Sequence, residues 1–196
     1  MPDSPAAPHG TAAPGTPPGE PGPARAPAPG GAPVLDRLNA APRAELEALL
    51  RGVCTARAWV SAVAASRPWA DGAALLAAGA AATAALTPDG LAEAVAGHAR
   101  IGAPEEGGAD SRREQAGVAD ADPALLAELR TAVAAYEERF GHAFLIRATG
   151  RTAAEMLAAA RDRYANAPAA EWEHVRRELG GINVLRLERL LAGGAP

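Results

Sequence analysis

Lysine is absent from this chain of 196 residues, and all 19 of its Lys/Arg positions are arginine. Without a lysine amine, the chain cannot form a Schiff base to a substrate or to pyridoxal phosphate. Cysteine occurs once, at Cys54, which excludes an internal disulfide and any site needing several thiolates. Cys54 falls in an expected helix and reads as a small buried hydrophobe rather than a nucleophile. Runs of basic residues are also missing. With a formal net charge of −4 and a pI near 5.6, the chain lacks the electrostatic footprint of a nucleic-acid binder. No apolar run reaches the length of a membrane span, and Ala73–Ala85 is weakly hydrophobic and reads as a closely packed helix. Phosphate loops, dinucleotide fingerprints, nucleophile elbows and paired-histidine metal motifs do not occur.

What is present divides in two. Residues 1–33 hold 11 of the 18 prolines and almost no large apolar side chain, so they cannot bury enough surface to offset chain entropy. They predict a disordered low-complexity tail, and they lack the basic start and apolar core of a secretory signal. Removing Asp3, Glu20 and Arg25 leaves 21 acids and 18 arginines, so the acidity belongs to the expected folded domain at 34–193.

That domain reads as all-α, a single multi-helix unit. Leu46, Leu49, Leu50 and Val53 form one apolar stripe after Pro42. Trp59, Val60 and Val63 mark a short helix ended by Arg67-Pro68, and Asp71 caps an alanine-rich one. Thr87-Pro88-Asp89 opens another, with Thr as N-cap and Pro at the first helical position. Asp122-Pro123 starts the clearest helix, whose face carries Leu125, Leu126, Leu129, Val133, Tyr136 and Phe140 until Gly141 ends it. Phe144-Leu145-Ile146 is a short apolar run of extended or buried character. Thr152 to Glu155 is a capping box before Met156, Leu157 and Tyr164. Trp172, Val175 and Leu179 begin the last helical region, which Gly180-Gly181 is expected to kink or break before Leu185, Leu187, Leu190 and Leu191.

Chemistry has few places to sit. Gly97 reads as the residue that stops the Thr87 helix, leaving His98 just beyond a helix C-terminus, where carbonyls tend to raise an imidazole pKa. A loop histidine poised to hold a proton suits a general acid, and a solvated post-helix histidine is the plainer alternative. Ser111-Arg112-Arg113-Glu114 is equally a capping box and a polar pocket lining. Gln at position 114 would preserve the box, so a purely capping Glu114 should tolerate that change. His98, His142 and His174 are too far apart for a local metal motif, which leaves only a composite site with loop acids such as Glu105 or Glu106.

The order of the motifs resembles the 2-oxo-4-hydroxy-4-carboxy-5-ureidoimidazoline (OHCU) decarboxylase family. The resemblance is carried by Leu38-Asn39 with Arg43-Ala44-Glu45-Leu46, by Gly97-His98-Ala99-Arg100-Ile101-Gly102, and by Ser111-x-x-Glu114-Gln115. It continues in Tyr136 through Phe140-Gly141-x-x-Phe144-Leu145-Ile146, in Gly150-Arg151-Thr152-Ala153-Ala154-Glu155-Met156-Leu157, and in Ile182-x-x-x-Arg186-Leu187-x-x-Leu190. Each is weak alone, and six in the right order are specific. The resemblance implies an all-α, cofactor-independent and metal-free carboxy-lyase that makes (S)-allantoin in urate degradation. It implies a cytoplasmic homodimer whose partner is the small-molecule substrate, with neither nucleic acid nor membrane. It places the catalytic histidine on His98 and substrate contacts on Ala99, on Ser111, Arg112, Arg113, Glu114 and Gln115, and on Ile146, Arg147, Ala148, Thr149 and Gly150. Glu114 would orient the substrate hydroxyl or hold the His98 tautomer. Two departures are visible: Ala99 stands where the family commonly has proline, and Thr149 where some members have arginine. Arg147 or Arg151 would then supply any cation needed. The competing reading is a helical homologue that lost catalysis and serves as a binding or regulatory module. A purely structural interaction protein, whose polar residues are caps and surface, is the third.

Overall fold

Local chain chemistry sets the helix boundaries. The computed structural model describes residues 32–101, 113–115, 117 and 121–194, and no strand occurs among them. The described helices are α1 (Ala32–Ala40), α2 (Arg43–Val53), α3 (Arg57–Ala65), α4 (Gly72–Ala84), α5 (Pro88–Ala96), α6 (Pro123–Phe140), α7 (Ala153–Tyr164) and α8 (Pro168–Leu191). The all-α expectation therefore holds, while the expected tail falls almost wholly outside the described residues. The Asp71, Thr87 and Asp122 side chains accept from backbone N–H groups in the first turns of α4, α5 and α6. At α7 the capping box is complete: Glu155 N–H donates to Thr152 Oγ1 at 3.3 Å, and Thr152 N–H donates to Glu155 Oε2 at 2.7 Å. Gly141 ends α6 at φ 73°, a left-handed position that glycine adopts without Cβ strain.

One expectation fails. Gly180 and Gly181 do not break the last helix, which runs unbroken over 24 residues. Two glycines cost roughly 1 kcal/mol each in helix propensity. That cost is offset by an apolar face that buries Val175, Leu179, Ile182, Leu187 and Leu190.

Two apolar cores result. The larger gathers Leu46, Leu50, Trp59, Leu75, Leu91, Leu179 and Leu187 from α2–α5 and α8. The smaller joins α6 and α7 through Leu129, Val133, Tyr136, Met156 and Ala160. The segment after Gly141 runs between them in non-helical form. Its side chains alternate: Leu145 packs into the larger core, Phe144, Ile146 and Ala148 into the smaller. Alternation of this kind is the period-2 signature of extended backbone.

A buried polar knot anchors that segment. Arg163 of α7 donates from Nη1 to the Leu145 carbonyl at 2.7 Å and from Nε to Glu171 Oε1 at 2.9 Å. The Tyr136 hydroxyl also donates to Glu171, and Asn166 Nδ2 donates to Glu171 Oε2 at 2.8 Å. Burial pushes the Glu171 carboxyl up, but its hydrogen bonds from Arg163, Tyr136 and Asn166 outweigh this and hold it below the usual range. Glu171 is fully buried, so a charge here is tolerable because both carboxylate oxygens find donors and Arg163 supplies the counter-charge.

A candidate active-site cavity between the two cores

The extended segment, the end of α5 and the inner face of α8 leave a small cavity, partly open to solvent. Its walls bring together His98, Ala99, Glu114, Gln115, Ile146, Arg147, Ala148 and Thr149. Those eight are sequence candidates, drawn from three stretches far apart in the chain. Arg113 and Gly150 do not line it, and Ser111 and Arg112 lie outside the described residues. Glu105 and Glu106 are also outside them, and among the described residues no group of three His, Cys, Asp or Glu side chains could hold a metal.

His98 differs from its expected state. α5 ends at Ala96, so Gly97 stops the helix as the sequence suggested, at φ −85°. Glycine is needed here for a steric reason: a Cβ would lie 2.3 Å from Thr55 Oγ1. The close approach lets the chain turn tightly, and His98 Nδ1 donates to the Ala94 carbonyl at 2.9 Å. That bond, not Glu114, fixes the tautomer, and it leaves Nε2 as the acceptor. Nε2 is buried without a hydrogen-bond partner among the described residues. Burial, then the Arg186 charge, lowers the His98 pKa from 6.5 to about 4, against smaller upward pulls from Ala94 and Glu114. The expected rise in the His98 pKa is therefore corrected, and the plainer alternative of a solvated histidine does not fit its burial either. Desolvation outweighs the carbonyls at the helix end, and the imidazole is neutral at neutral pH.

Glu114 is held from two turns of α8. Its two oxygens accept from Arg186 Nε and Nη2, each at 2.9 Å, and Oε1 also accepts from Arg189 Nη1 at 3.0 Å. Arg186 Nη1 in turn donates to the Val53 carbonyl at 3.1 Å. Burial pushes the Glu114 carboxyl up, but the hydrogen bonds and charges of Arg186 and Arg189 prevail and hold it low. Beside it, Gln115 is buried and donates from Nε2 to the Arg100 carbonyl at 3.0 Å. Glu114 is thus held as a carboxylate, and the cavity lining carries the guanidiniums of Arg186 and Arg147 beside it.

Sequence reasoning missed Arg186 as a cavity residue, together with Ile101, Phe144, Leu145, Ile182 and Leu185. A signal existed: Arg186 interrupts an apolar face between Ile182 and Leu190, and a buried arginine must have partners there. Of the two cations considered beside Thr149, Arg147 lines the cavity. Arg151 does not, and its guanidinium pairs with Glu178 at 3.4 Å.

Comparison with known proteins settles the family. The sequence model of the OHCU decarboxylase family matches residues 39–188. The chain belongs to the OHCU decarboxylase family. The fold agrees: a solved structure of OHCU decarboxylase in the presence of (S)-allantoin superposes with a TM-score of 0.64 at 26% identity, covering 72% of this chain and 96% of that one. A structure of (S)-allantoin synthase matches with a TM-score of 0.61 at 20% identity, over 80% of this chain and 53% of that one. Among curated proteins, the uric acid degradation bifunctional protein TTL of Arabidopsis thaliana is 43% identical over 60 residues. Those residues are 31% of this chain and 18% of the Arabidopsis protein, so the match spans a small part of that relative. No single described helix is long and apolar enough to cross a membrane.

Proposed function

We propose that this OHCU decarboxylase family member converts OHCU to (S)-allantoin in urate degradation, without a metal or organic cofactor. The observation that carries the reading is His98 Nε2: a buried acceptor without a partner among the described residues, in the wall of a cavity whose other polar side chains are Glu114, Gln115, Arg147, Thr149 and Arg186. The substrate carries a hydroxyl and a carboxylate on the same ring carbon. Breaking the carbon–carboxylate bond releases CO2 and leaves its electron pair on the ring, and the one proton this consumes comes from solvent. Neutral His98 accepts the hydroxyl proton as the ring carbonyl forms, and the resulting imidazolium returns a proton to one face of the neighbouring carbon. The electron density left on the ring by the departing CO2 favours that imidazolium, offsetting the lowered pKa of the empty site. Arg186, which lines the cavity, balances the anion, and Gln115 offers a donor and an acceptor to the ureido and ring groups. Ile146, Arg147, Ala148 and Thr149 close the opposite wall. Ser111, Arg112, Arg113 and Gly150 enter this reading through the family motif alone. A cytoplasmic homodimer remains part of the proposal on the same ground.

The test is stereospecific allantoin formation from freshly generated OHCU, followed by circular dichroism. The wild-type chain should give an (S)-allantoin signal faster than spontaneous decay, and exhaustive dialysis against EDTA should leave the rate unchanged. General acid–base assistance is worth about 10²–10⁴ in rate, so His98→Gln should fall close to the spontaneous reaction. A wild-type chain with no rate above background would instead mark a homologue that binds without catalysis.

A further inference from the structure

A second concave surface lies on the outer side of the same wall. Between α4 and α8 a groove of about 980 Å³ opens to solvent, lined by Arg147, Arg176, Arg177, Gly180, Gly181 and Glu188 among others. It shares Arg147 and Leu185 with the candidate active-site cavity. Of its three arginines, Arg176 is committed to structure. Its Nη1 donates to the carbonyls of Thr83, Ala84 and Leu86 at 3.1, 3.0 and 2.8 Å, closing the C-terminal end of α4. Arg147 and Arg177 are not so occupied: neither guanidinium has a hydrogen bond or ion pair among the described residues.

The glycine pair explains how the groove they line stays open. Arg147 lies across Gly181, with Cδ 3.2 Å, Nη1 3.6 Å and Nε 3.8 Å from where a Cβ would stand. Arg177 sits four residues earlier on α8, and side chains at i and i+4 rise from Cβ positions about 5–6 Å apart on one helix face. A side chain at 181 would displace Arg147, so Gly181 keeps open a floor in a groove that both arginines line. Nearby acids do not neutralise the pair. Glu178 accepts from Arg147 N at 2.8 Å and from Arg151 at 3.4 Å, and Glu173 lies 3.7 Å from Arg176 Nε. Glu188 stands at the far end of the groove, nearly two turns beyond Gly181. Two like charges lining one solvent-open groove, neither paired among the described residues, favour an anion that both can reach.

We propose that Arg147 and Arg177, over the Gly180–Gly181 floor, form a binding site for a small molecule bearing a carboxylate or phosphate group. The site is separate from the candidate active-site cavity and touches it through Arg147. Isothermal titration at low ionic strength tests it with inorganic phosphate in one arm and acetate in the other, on the full chain. Wild type should bind at least one probe saturably at one site, and the tighter probe assigns the group. Removing one charge-assisted hydrogen bond weakens binding by roughly tenfold or more. Arg177→Gln should therefore show that weakening, and Gly181→Leu, which fills the floor without changing charge, should abolish saturable binding. A circular-dichroism melt shows whether Gly181→Leu folds, and Arg147→Gln replaces it in the comparison if it does not. Absence of saturable binding to wild type, or binding unchanged in these variants, overturns the proposal. Because the readout is binding, the result stands apart from whether the chain decarboxylates OHCU.

Discussion

At the scale of single residues, burial decides protonation and hence how each side chain answers to pH. Folded His98 has a pKa of about 4 against an ordinary 6.5. Below pH 6.5 the unfolded chain takes up a proton that the folded chain refuses. The associated stability is complete above that pH and is lost as pH falls toward 4. At 1.36 kcal/mol per unit, the loss is on the order of 3 kcal/mol. Urea melts of His98→Gln should show a flatter decline than wild type across this window, and equal slopes would mean that the imidazole is not buried neutral. Glu114 gives the opposite contrast. As a cap alone it would tolerate Gln, but its carboxylate balances Arg186, which is only 8% exposed. Breaking a largely buried pair costs about 3–5 kcal/mol. Glu114→Gln should therefore lower the thermal midpoint by roughly 10 °C, since each kcal/mol shifts it about 2–4 °C in a chain of this size. An unchanged midpoint would return Glu114 to the capping role.

At the scale of elements, most helices are legible in the sequence because their punctuation is local. Asp71, Thr87, Asp122 and Thr152 each act within three residues of themselves. Likewise His98, Glu114, Gln115 and the 146–149 stretch can be read from motif order. Arg186 cannot be assigned a role that way, because its partners at Glu114 and Val53 are 72 and 133 residues away. Gly180–Gly181 mislead for a related reason. Their effect depends on the packing of α8, which a local rule does not see. The Arg163–Glu171–Tyr136 knot is equally invisible in sequence, and it joins α6, α7 and α8 to the Leu145 carbonyl. Arg163→Met should strand the Glu171 carboxylate, destabilise the fold by about 3–5 kcal/mol at neutral pH, and raise the carboxyl pKa above its unfolded value. Stability lost at neutral pH should then return partly as pH falls and Glu171 protonates, the reverse of the wild-type dependence. Calorimetry at pH 7 and pH 5 on both chains measures the sign.

At the scale of the whole molecule, the question is where the stable unit begins. Nothing in residues 1–31 offers apolar surface comparable to the helices that follow. α1 is different. Leu35 and Leu38 are buried in the larger core, and Asn39 exchanges two hydrogen bonds with the Trp69 backbone, at 2.9 and 3.0 Å. Val34 lies 3.9 Å from the Cβ position of Gly193, so α1 also meets the chain's other end. Fully burying a leucine is worth about 1.5–3 kcal/mol, and each hydrogen bond adds roughly 1 kcal/mol. Together these interactions contribute on the order of 5 kcal/mol. A chain beginning at Ala32 should keep its thermal midpoint within a few degrees of the full chain. One beginning at Arg43 should fall by at least roughly 10 °C, given the same conversion. Equal loss in both truncations would show that residues before Ala32 pack on the domain. No loss in either would mean that α1 is not part of the cooperative unit, despite its buried leucines.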